Sequence, residues 1–270
     1  MKALVPGRLA TICAVVVSVF LILPLLAVVP VSFTPNRYLS VPEGEWSLRH
    51  YQALIADPKW LAGFWLSVRI GLLSSVVATA LATAFALGLW MFRPRYAGLL
   101  MGLALLPMVA PPVVSALTLY FFLISLSRVN SFVAYDTWAG VALAHAVMIA
   151  PFAVVLISVA LSQVDRRIDL AARSMGAGLA TRIFRVILPN IRFGLLGAFF
   201  LTFVLSWEEI GVTLFITSVD AVTLPRLMWM GLRDNIDPAI AAVSVILIMV
   251  VALAVLAKTA MQRGRAIRRE

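Results

Sequence analysis

Six apolar stretches, each long enough to cross a lipid bilayer, recur along the chain. They lie at about residues 9–31, 64–91, 97–126, 138–161, 193–217 and 238–258. A helix needs roughly 20 apolar residues to cross the hydrocarbon core, and only 13% of this chain is charged, whereas about a quarter of a soluble domain is charged. The stretches therefore predict an all-α integral membrane protein with six transmembrane helices in a single domain over residues 1–270.

Local sequence modifies the first and third stretches. The third contains Pro107, Pro111 and Pro112, and proline inside a helix removes a backbone hydrogen bond, so this span should be kinked or broken. The first is longer than the apolar region of a signal peptide and no small-residue cleavage site follows it, which predicts an uncleaved span. After it, charged and aromatic residues with helix-like spacing over residues 45–65 predict a short helix along the outer interface.

Basic residues are unevenly distributed between the connections. The N-terminal segment, the second and fourth connections and the C-terminal tail together carry fifteen Lys and Arg, and the remaining connections carry six. Cytoplasmic loops hold the excess of Lys and Arg, so both termini are predicted to be cytoplasmic. The basic residues do not form one patch interleaved with aromatic residues, which argues against nucleic acid as a partner.

The chain lacks the motifs of the common hydrolytic and metal sites. It has no G-x-x-x-x-G-K-[ST] phosphate loop, so it is not expected to bind ATP itself. It has no H-E-x-x-H zinc motif, and its single cysteine, Cys13, lies inside the first apolar stretch, which leaves no disulfide framework and no metal-ligand spacing. The sequence predicts neither a catalytic site nor a metal site in this chain.

The fourth connection, residues 162–192, is patterned like an ordered segment. Asp169 is expected to cap a short helix or to favour the positive end of its dipole. Leu170, Ala171, Ala172 and Met175 are expected to give that helix a small apolar face.

The same connection ends in turn-forming residues. Gly176 and Gly178 permit a sharp turn, and Pro189 marks the approach to the fifth span. Six arginines also lie here. One interpretation is that they only fix the topology and contact anionic lipid, at about 1 kcal/mol each. The other is that the connection binds a partner, because charge does not explain the Ala-Ala pair, the glycines or the Leu-Pro pair.

The pattern Ala171-Ala172, Gly176-Ala177 and Leu188-Pro189 resembles the EAA signature of permease subunits of bacterial ABC importers. The resemblance implies the type I ABC permease fold, with a coupling helix in residues 162–192 that docks into a groove on an ATP-hydrolysing subunit. The sequence departs from the signature at Leu170, where the family has glutamate, although Asp169 precedes it. The implied coupling residues are Asp169, Leu170, Ala171, Ala172, Met175, Gly176, Ala177, Gly178, Leu188 and Pro189.

Three further stretches extend the resemblance over most of the chain. They are similar to the branch of the family that includes spermidine/putrescine permeases, and they read WSLRHYQALIADP, AHAVMIAPFAVVLI and TLPRLMWMGLRDNIDPAIAAVSVIL. The branch implies a multi-pass protein of the bacterial inner membrane that forms half of a heterodimeric permease pore. The implied partners are two ATPase subunits that bind ATP and Mg²⁺, an extracytoplasmic substrate-binding protein and membrane lipid.

Glu208 and Glu209 are the unusual residues within the apolar stretches. A charged side chain at mid-bilayer costs about 2.5–3.5 kcal/mol and rarely faces lipid. Because neighbouring side chains on a helix point in different directions, one of the two is expected to line a substrate path that favours a cation. Trp207 is expected beside them, as a path residue or as an interface anchor. The other interpretation is that both carboxylates make packing contacts or lie near the outer surface.

The resulting prediction is a permease subunit of an ATP-driven importer, not an enzyme, that carries a polyamine or another small organic solute. The alternative is a self-sufficient secondary transporter of small cations, which would show an inverted repeat and discontinuous spans. His145 is expected to join helices by hydrogen bonds, His50 to be solvated in an outer loop, and Arg69 to snorkel outward.

Overall fold

The computed structural model describes residues 7–234 and 237–267, where every regular element is a helix. The α-helices, numbered in chain order, are α1 (Arg8–Ser32), α2 (Arg49–Ala56), α3 (Pro58–Phe92), α4 (Ala97–Ala104), α5 (Leu106–Val109), α6 (Pro112–Leu126), α7 (Trp138–Ser162), α8 (Arg166–Ser174), α9 (Leu179–Thr181), α10 (Leu188–Asn190), α11 (Arg192–Glu208), α12 (Thr213–Ile216), α13 (Leu224–Asp234) and α14 (Ala239–Ile267). A π-helix, Arg182–Ile187, joins α9 to α10. The predicted all-α class is confirmed.

Four helices in the described chain are long and apolar enough to cross a membrane. They are α1, α3, α7 and the Ala239–Ala257 part of α14. A fifth candidate is the bent pair Leu179–Asn190 and Arg192–Glu208, whose two parts meet at 74°. The six-span count and the cytoplasmic placement of both termini stay predictions. Three of the basic residues behind that placement, Lys2, Arg268 and Arg269, lie outside the described residues.

The third apolar stretch is broken, as predicted. α4 ends at Ala104 and α6 begins only at Pro112. Pro107 has no N–H to continue α4, and a proline disfavours the helical region for the residue before it. Ala110 and Pro111, which precede Pro111 and Pro112, are accordingly extended, with ψ of 139° and 132°.

The fifth helix is shorter than predicted, because residues 193–217 do not form one continuous helix. α11 ends at Glu208, and Glu209 leaves the helix with ψ of 102°. The Glu209 carboxylate accepts a hydrogen bond from the backbone N–H of Val212 at 2.9 Å. A side chain that bonds to nearby backbone in this way competes with helix continuation, so the chain breaks before the single turn of α12.

The described chain divides into two compact units. In the unit formed by the residues up to Leu61 and from Met228 onward, α1 and α2 pack against α14. α2 lies in the predicted outer segment 45–65, but the prediction for His50 is wrong. This side chain is buried, and its Nε2 lies 3.0 Å from the carbonyl oxygen of Asn36, because the chain after α1 folds back over it. The single domain over residues 1–270 stays a prediction.

The second unit, Ala62–Leu227, is organised around α7. Small residues such as Ala142, Ala146 and Ala153 are almost fully buried along this helix, and α11 packs beside it. Small side chains let membrane helices approach closely. At Gly194 of α11, an added Cβ would meet the Cβ of Ala160, so this crossing has no room for a larger residue.

Candidate coupling loop and substrate path

α8 begins the candidate coupling loop, and its N-cap is Asp165, one residue outside the helix. The Asp165 Oδ1 accepts a hydrogen bond from the backbone N–H of Arg167 at 2.9 Å. The expectation that Asp169 caps this helix is therefore wrong, because the helix starts at Arg166 and places Asp169 inside its first turn. At that position the carboxylate still lies near the positive end of the helix dipole.

Asp169 instead forms a two-bond ion pair with Arg182 across the loop. Arg182 donates from Nε to Oδ1 at 2.7 Å and from Nη2 to Oδ2 at 2.6 Å. The two side chains are only 8% (Arg182) and 11% (Asp169) exposed. The hydrogen bonds from Arg182 lower the pKa of Asp169 below its ordinary value, although burial alone would raise it. The pair joins α8 to the π-helix, and no local sequence pattern predicts a contact over this separation.

α8 ends in a Schellman motif built on Gly176. The Gly176 N–H bonds to the carbonyl of Arg173 at 2.9 Å, and the Ala177 N–H bonds to the carbonyl of Ala172 at 3.0 Å. Gly176 has a φ of +77°, which a residue with a Cβ adopts only with strain. The predicted turn thus rests on Gly176, whereas Gly178 has a φ of −68° and precedes α9 in an extended conformation.

The single apolar face predicted for this helix is wrong. Ala172 is 3% exposed and faces inward with Asp169, but Leu170 is 55% exposed and Met175 is 81% exposed. Ala171 is also exposed. The reason is geometric: residues 170, 171 and 172 point about 100° apart on an α-helix, so they cannot share one side. The exposed side chains present an apolar, flexible surface to whatever lies outside the chain.

Leu188 and Pro189 lie in the joint between the loop and the fifth helix. They belong to α10, and the next helix, α11, is reached through Ile191 after a 74° bend. Pro189 has no N–H for the helical ladder, and the π-helix stands immediately before α10. Ile187 is almost fully buried, so the joint is anchored in the bundle.

The two glutamates differ in their surroundings at the end of α11. Glu209 is half-buried, and its carboxylate holds the Val212 N–H. Glu208 is exposed and makes no hydrogen bond or ion pair within the described residues. Trp207 is half-buried and its ring contacts those of Phe64, at a centroid distance of 5.6 Å, and Phe203, at 6.2 Å. The three residues are consecutive in the chain, but in the structure they do not share a contact: Glu209 bonds to backbone, Trp207 packs on aromatic rings, and Glu208 is exposed.

His145 joins three helices through a chain of buried side chains, as predicted. Its Nδ1 lies 2.9 Å from the Ser206 hydroxyl and its Nε2 lies 2.8 Å from the Thr213 hydroxyl. Ser74 donates to Ser206 at 2.8 Å, and Thr213 donates to the Glu209 carbonyl at 2.7 Å. Because Thr213 uses its proton on that carbonyl, its oxygen accepts from the Nε2–H of His145. We call Ser74, Ser206, His145 and Thr213 the polar seam.

Asp136 is a structural residue that the sequence did not single out. Its carboxylate accepts hydrogen bonds at 2.8 to 3.1 Å from four successive backbone N–H groups, those of Ser218, Val219, Asp220 and Ala221. Burial alone would raise the pKa of Asp136, but these four amides lower it below its ordinary value. Asp136 has a φ of +57°. An aspartate before Thr137, the N-cap of α7, gives no sequence signal for such a clamp.

Arg69, which was expected to snorkel outward, is exposed, and its guanidinium lies 5.6 Å from the ring centroid of Trp138. Among the described residues, no group of three or more His, Cys, Asp or Glu side chains could hold a metal ion.

Comparison with known proteins gives consistent matches. A family model described as "binding-protein-dependent transport system inner membrane component" matches residues 78–265. The putrescine transport system permease protein PotI of Escherichia coli K12 is 29% identical over 230 residues, which cover 85% of this chain and 82% of PotI. A probable molybdenum ABC transporter permease of Haloferax volcanii is 34% identical over 177 residues, or 62% of this chain and 65% of that protein.

A solved structure agrees on the fold. A bacterial ABC transporter involved in the import of the acidic polysaccharide alginate superimposes with a TM-score of 0.66, covering 97% of this chain and 99% of that chain. The two sequences are 13% identical, so this likeness bears on the fold alone.

Proposed function

The chain belongs to the family of binding-protein-dependent transport system inner membrane components, and from this premise we propose how it couples to its motor and what it carries. Its class is settled by the family: it is a transmembrane permease subunit of an ABC importer in the inner membrane. It is a transport subunit and not an enzyme, and ATP hydrolysis belongs to a partner subunit. The alternative of a self-sufficient secondary transporter is not supported.

The family implies an ATPase and a substrate-binding protein as partners in general terms. In the specific assembly that we propose, two copies of the ATPase bind ATP and Mg²⁺ on the cytoplasmic side. The second permease is a homologous subunit, not a copy of this chain, and an extracytoplasmic protein delivers the substrate. The similarity to a putrescine permease, whose branch favours a heterodimer, supports this arrangement.

The proposed coupling element is α8 with the turn that follows it. The observation that supports it is the combination of exposed Leu170 and Met175 with a rigid base. The base is formed by the Asp169–Arg182 pair and the Gly176 turn. A rigid helix with exposed flexible apolar side chains is suited to fill a groove on another protein, and methionine adapts well to such surfaces. Movement of the ATPases then moves α8 and reorients the spans, which opens the path to alternate sides.

The proposed substrate is a polyamine or another small organic cation. PotI is by its name a putrescine permease, but the molybdenum-type relative shows that similar chains serve other solutes. The deciding feature in this chain is the exposed Glu208 carboxylate, which lacks a partner in the described residues and lies where α11 ends. Glu209 has a structural task instead, and Trp207 lies beside Glu208 as a half-buried path residue.

Substitutions on the exposed side of α8 test the coupling proposal. Leu170→Asp and Met175→Asp should each place a charge in the groove, whose desolvation disfavours docking. A matched control is Val129→Asp, because Val129 is also well exposed, at 79%. It lies before the long helix α7, at the end opposite to the one that leads into α8. In the reconstituted complex, substrate-stimulated ATP hydrolysis should fall in the first two variants and persist in the control. Normal stimulation in both α8 variants would remove the coupling role.

Neutralising the two carboxylates separately tests the substrate proposal. Glu208→Gln should reduce uptake of labelled putrescine into vesicles by roughly fivefold or more, because an electrostatic contribution on the order of 1–3 kcal/mol is lost. Glu209→Gln is the control, since a glutamine oxygen still accepts from the Val212 N–H. Uptake is normalised to assembled complex. Full uptake in Glu208→Gln and in the double variant would remove the reason to favour a cation.

A further inference from the structure

A basic pocket lies between the end of α3 and the coupling helix α8. Its volume is about 210 Å³. Three arginines on its wall come from different places in the chain, Arg93 after α3 and Arg166 and Arg173 on α8, and Trp90, Met91 and Leu170 supply apolar surface. We call Arg93, Arg166 and Arg173 with this apolar wall the arginine pocket. The proposed function uses Leu170 and Asp169 on this wall but gives no role to the three arginines.

The three guanidinium groups have no anionic partner in the described part of the chain. No hydrogen bond or ion pair there involves any of them, and the Arg166 guanidinium lies 5.0 Å from the centroid of the Trp90 ring. Partial burial and the positive charge of Arg93 both lower the pKa of Arg166. Like charges are thus held close together, and within the described residues no ion pair joins any of the three to a carboxylate.

The single acid on the wall interacts electrostatically with Arg173, but its ion pair is with Arg182 and not with any of the three arginines. Asp169 lines the pocket, but both of its oxygens accept hydrogen bonds from Arg182, which lies outside the lining. The Asp169–Arg182 pair is neutral as a unit, so the pocket keeps a net positive charge.

Arg93 lies on the wall of the pocket in an unfavourable backbone conformation. Arg93 has a φ of +47°, a left-handed conformation that is unfavourable for a residue with a Cβ. It follows the last residue of α3 and precedes Pro94. Such costs persist where the surrounding structure or a function requires them.

We propose that the arginine pocket binds a phosphate group, in the form of the headgroup of an anionic phospholipid. Guanidinium forks match phosphate oxygens in geometry and charge. The site adjoins the end of α3, a helix long and apolar enough to cross a membrane. The inference rests on the proposed function, which places this end on the cytoplasmic side, where basic pockets bind lipid headgroups. Exposed Phe92, at the end of α3, offers apolar surface for an acyl chain. A bound headgroup would connect α3 to the coupling helix. Free inorganic phosphate has the same chemistry and is the other source to be tested.

The experiment uses the assembled transporter in phosphatidylcholine nanodiscs, with bound lipid counted by native mass spectrometry during titration with phosphatidylglycerol. The pocket variant carries Arg93→Gln, Arg166→Gln and Arg173→Gln. It should bind phosphatidylglycerol about tenfold more weakly or worse, because three basic contacts are lost. If this variant does not assemble, Arg173→Gln alone changes an exposed side chain and should still weaken binding severalfold.

A control with the same loss of charge separates a built site from general attraction to a negative surface. It carries Arg167→Gln, Arg185→Gln and Arg192→Gln, three exposed arginines of the same loop that do not line the pocket. Its phosphatidylglycerol binding should stay within about threefold of the unchanged protein, since only the surface potential changes. A second arm titrates inorganic phosphate alone. Selective loss in the pocket variant in either arm supports the site and identifies the source. Equal losses in both variants, or no loss in the pocket variant, would overturn it.

Discussion

Replacing Asp169 by Asn should loosen the coupling loop without unfolding the bundle. The change removes the charge and leaves the Arg182 guanidinium, 8% exposed, without a counter-ion. Losing one partner of a buried pair costs about 3–5 kcal/mol, and an exposed pair contributes only about 0–1 kcal/mol. This pair lies at the open arginine pocket, where water screens it, so we expect a cost of about 2 kcal/mol.

Hydrogen exchange of the backbone amides in residues 166–190 measures this cost directly. In the reconstituted complex, a cost of about 2 kcal/mol corresponds to amide exchange about 30-fold faster when exchange reports local opening. Asp165→Asn is a matched control four residues earlier. Asparagine and aspartate are about equal as N-caps, so exchange should change little there. Exchange within about threefold of the unchanged protein in Asp169→Asn, or equal effects in both variants, would refute the reasoning.

The pH dependence of the loop follows from the sign of the shift. The hydrogen bonds from Arg182 lower the pKa of Asp169 in the folded loop. The stability that Asp169 contributes to the loop is therefore fully present above its pKa in the unfolded chain, about 4, and is lost as the pH falls through its lower pKa in the folded loop. Once intrinsic exchange rates are corrected for, the opening free energy should be constant between about pH 6 and 8. A fall in this range would mean that another group holds the loop.

Two further predictions concern packing and the clamp. Gly194→Ala should destabilise the crossing of α11 with α7, because the new Cβ would meet Ala160. Gly197→Ala on the same helix is the control, since a Cβ there meets nothing within 4 Å. Thermal unfolding in detergent should show the Gly194 variant to be less stable than the Gly197 variant by about 1–3 kcal/mol. Asp136→Asn should speed amide exchange in residues 218–221, because one carbonyl oxygen cannot replace two carboxylate oxygens as acceptor for four N–H donors. The lost hydrogen bonds should cost about 1–3 kcal/mol. An unchanged exchange rate would show that these residues do not depend on Asp136.

The sequence predicted those helices whose formation depends only on apolar length. α1 and α7 begin and end within one residue of the stretches 9–31 and 138–161, because a membrane span needs continuous apolar surface and internal hydrogen bonds. The break in the third stretch was also predictable, since proline acts through its own geometry. The early end of α11 was not, because it depends on one hydrogen bond that the Glu209 carboxylate accepts from the Val212 N–H, which hydropathy does not register.

The short helix and the turn of the candidate coupling loop were predictable from the sequence, but the contacts of their side chains were not. The glycine turn at Gly176 follows from a local requirement for positive φ, and the structure has it. The inward direction of Ala172 and the pairing of Asp169 with Arg182 depend on how two helical segments meet. Such contacts join residues far apart in the chain, so a pattern along one helix does not determine them.

The proposed movement of α8 can pass along a nearly continuous helical path as far as the end of α11. From Arg166 to Glu208 the chain is helical apart from short breaks, so a shift of α8 reaches α11 through the Asp169–Arg182 pair and the bend at Ile191. Beyond Glu208, helix continuity stops, and α12 is tied to α7 by the polar seam through Thr213. Hydrogen bonds between membrane helices average only about 0.6 kcal/mol, whereas close packing at Gly194 leaves no room for sliding. The segment after Glu208 is also held by the fully buried Val212 and Ile216 and by the Asp136 clamp. We therefore expect the end of α11, where helix continuity stops and the Glu208 carboxylate is exposed, to be the point whose surroundings change when α11 and α7 move together.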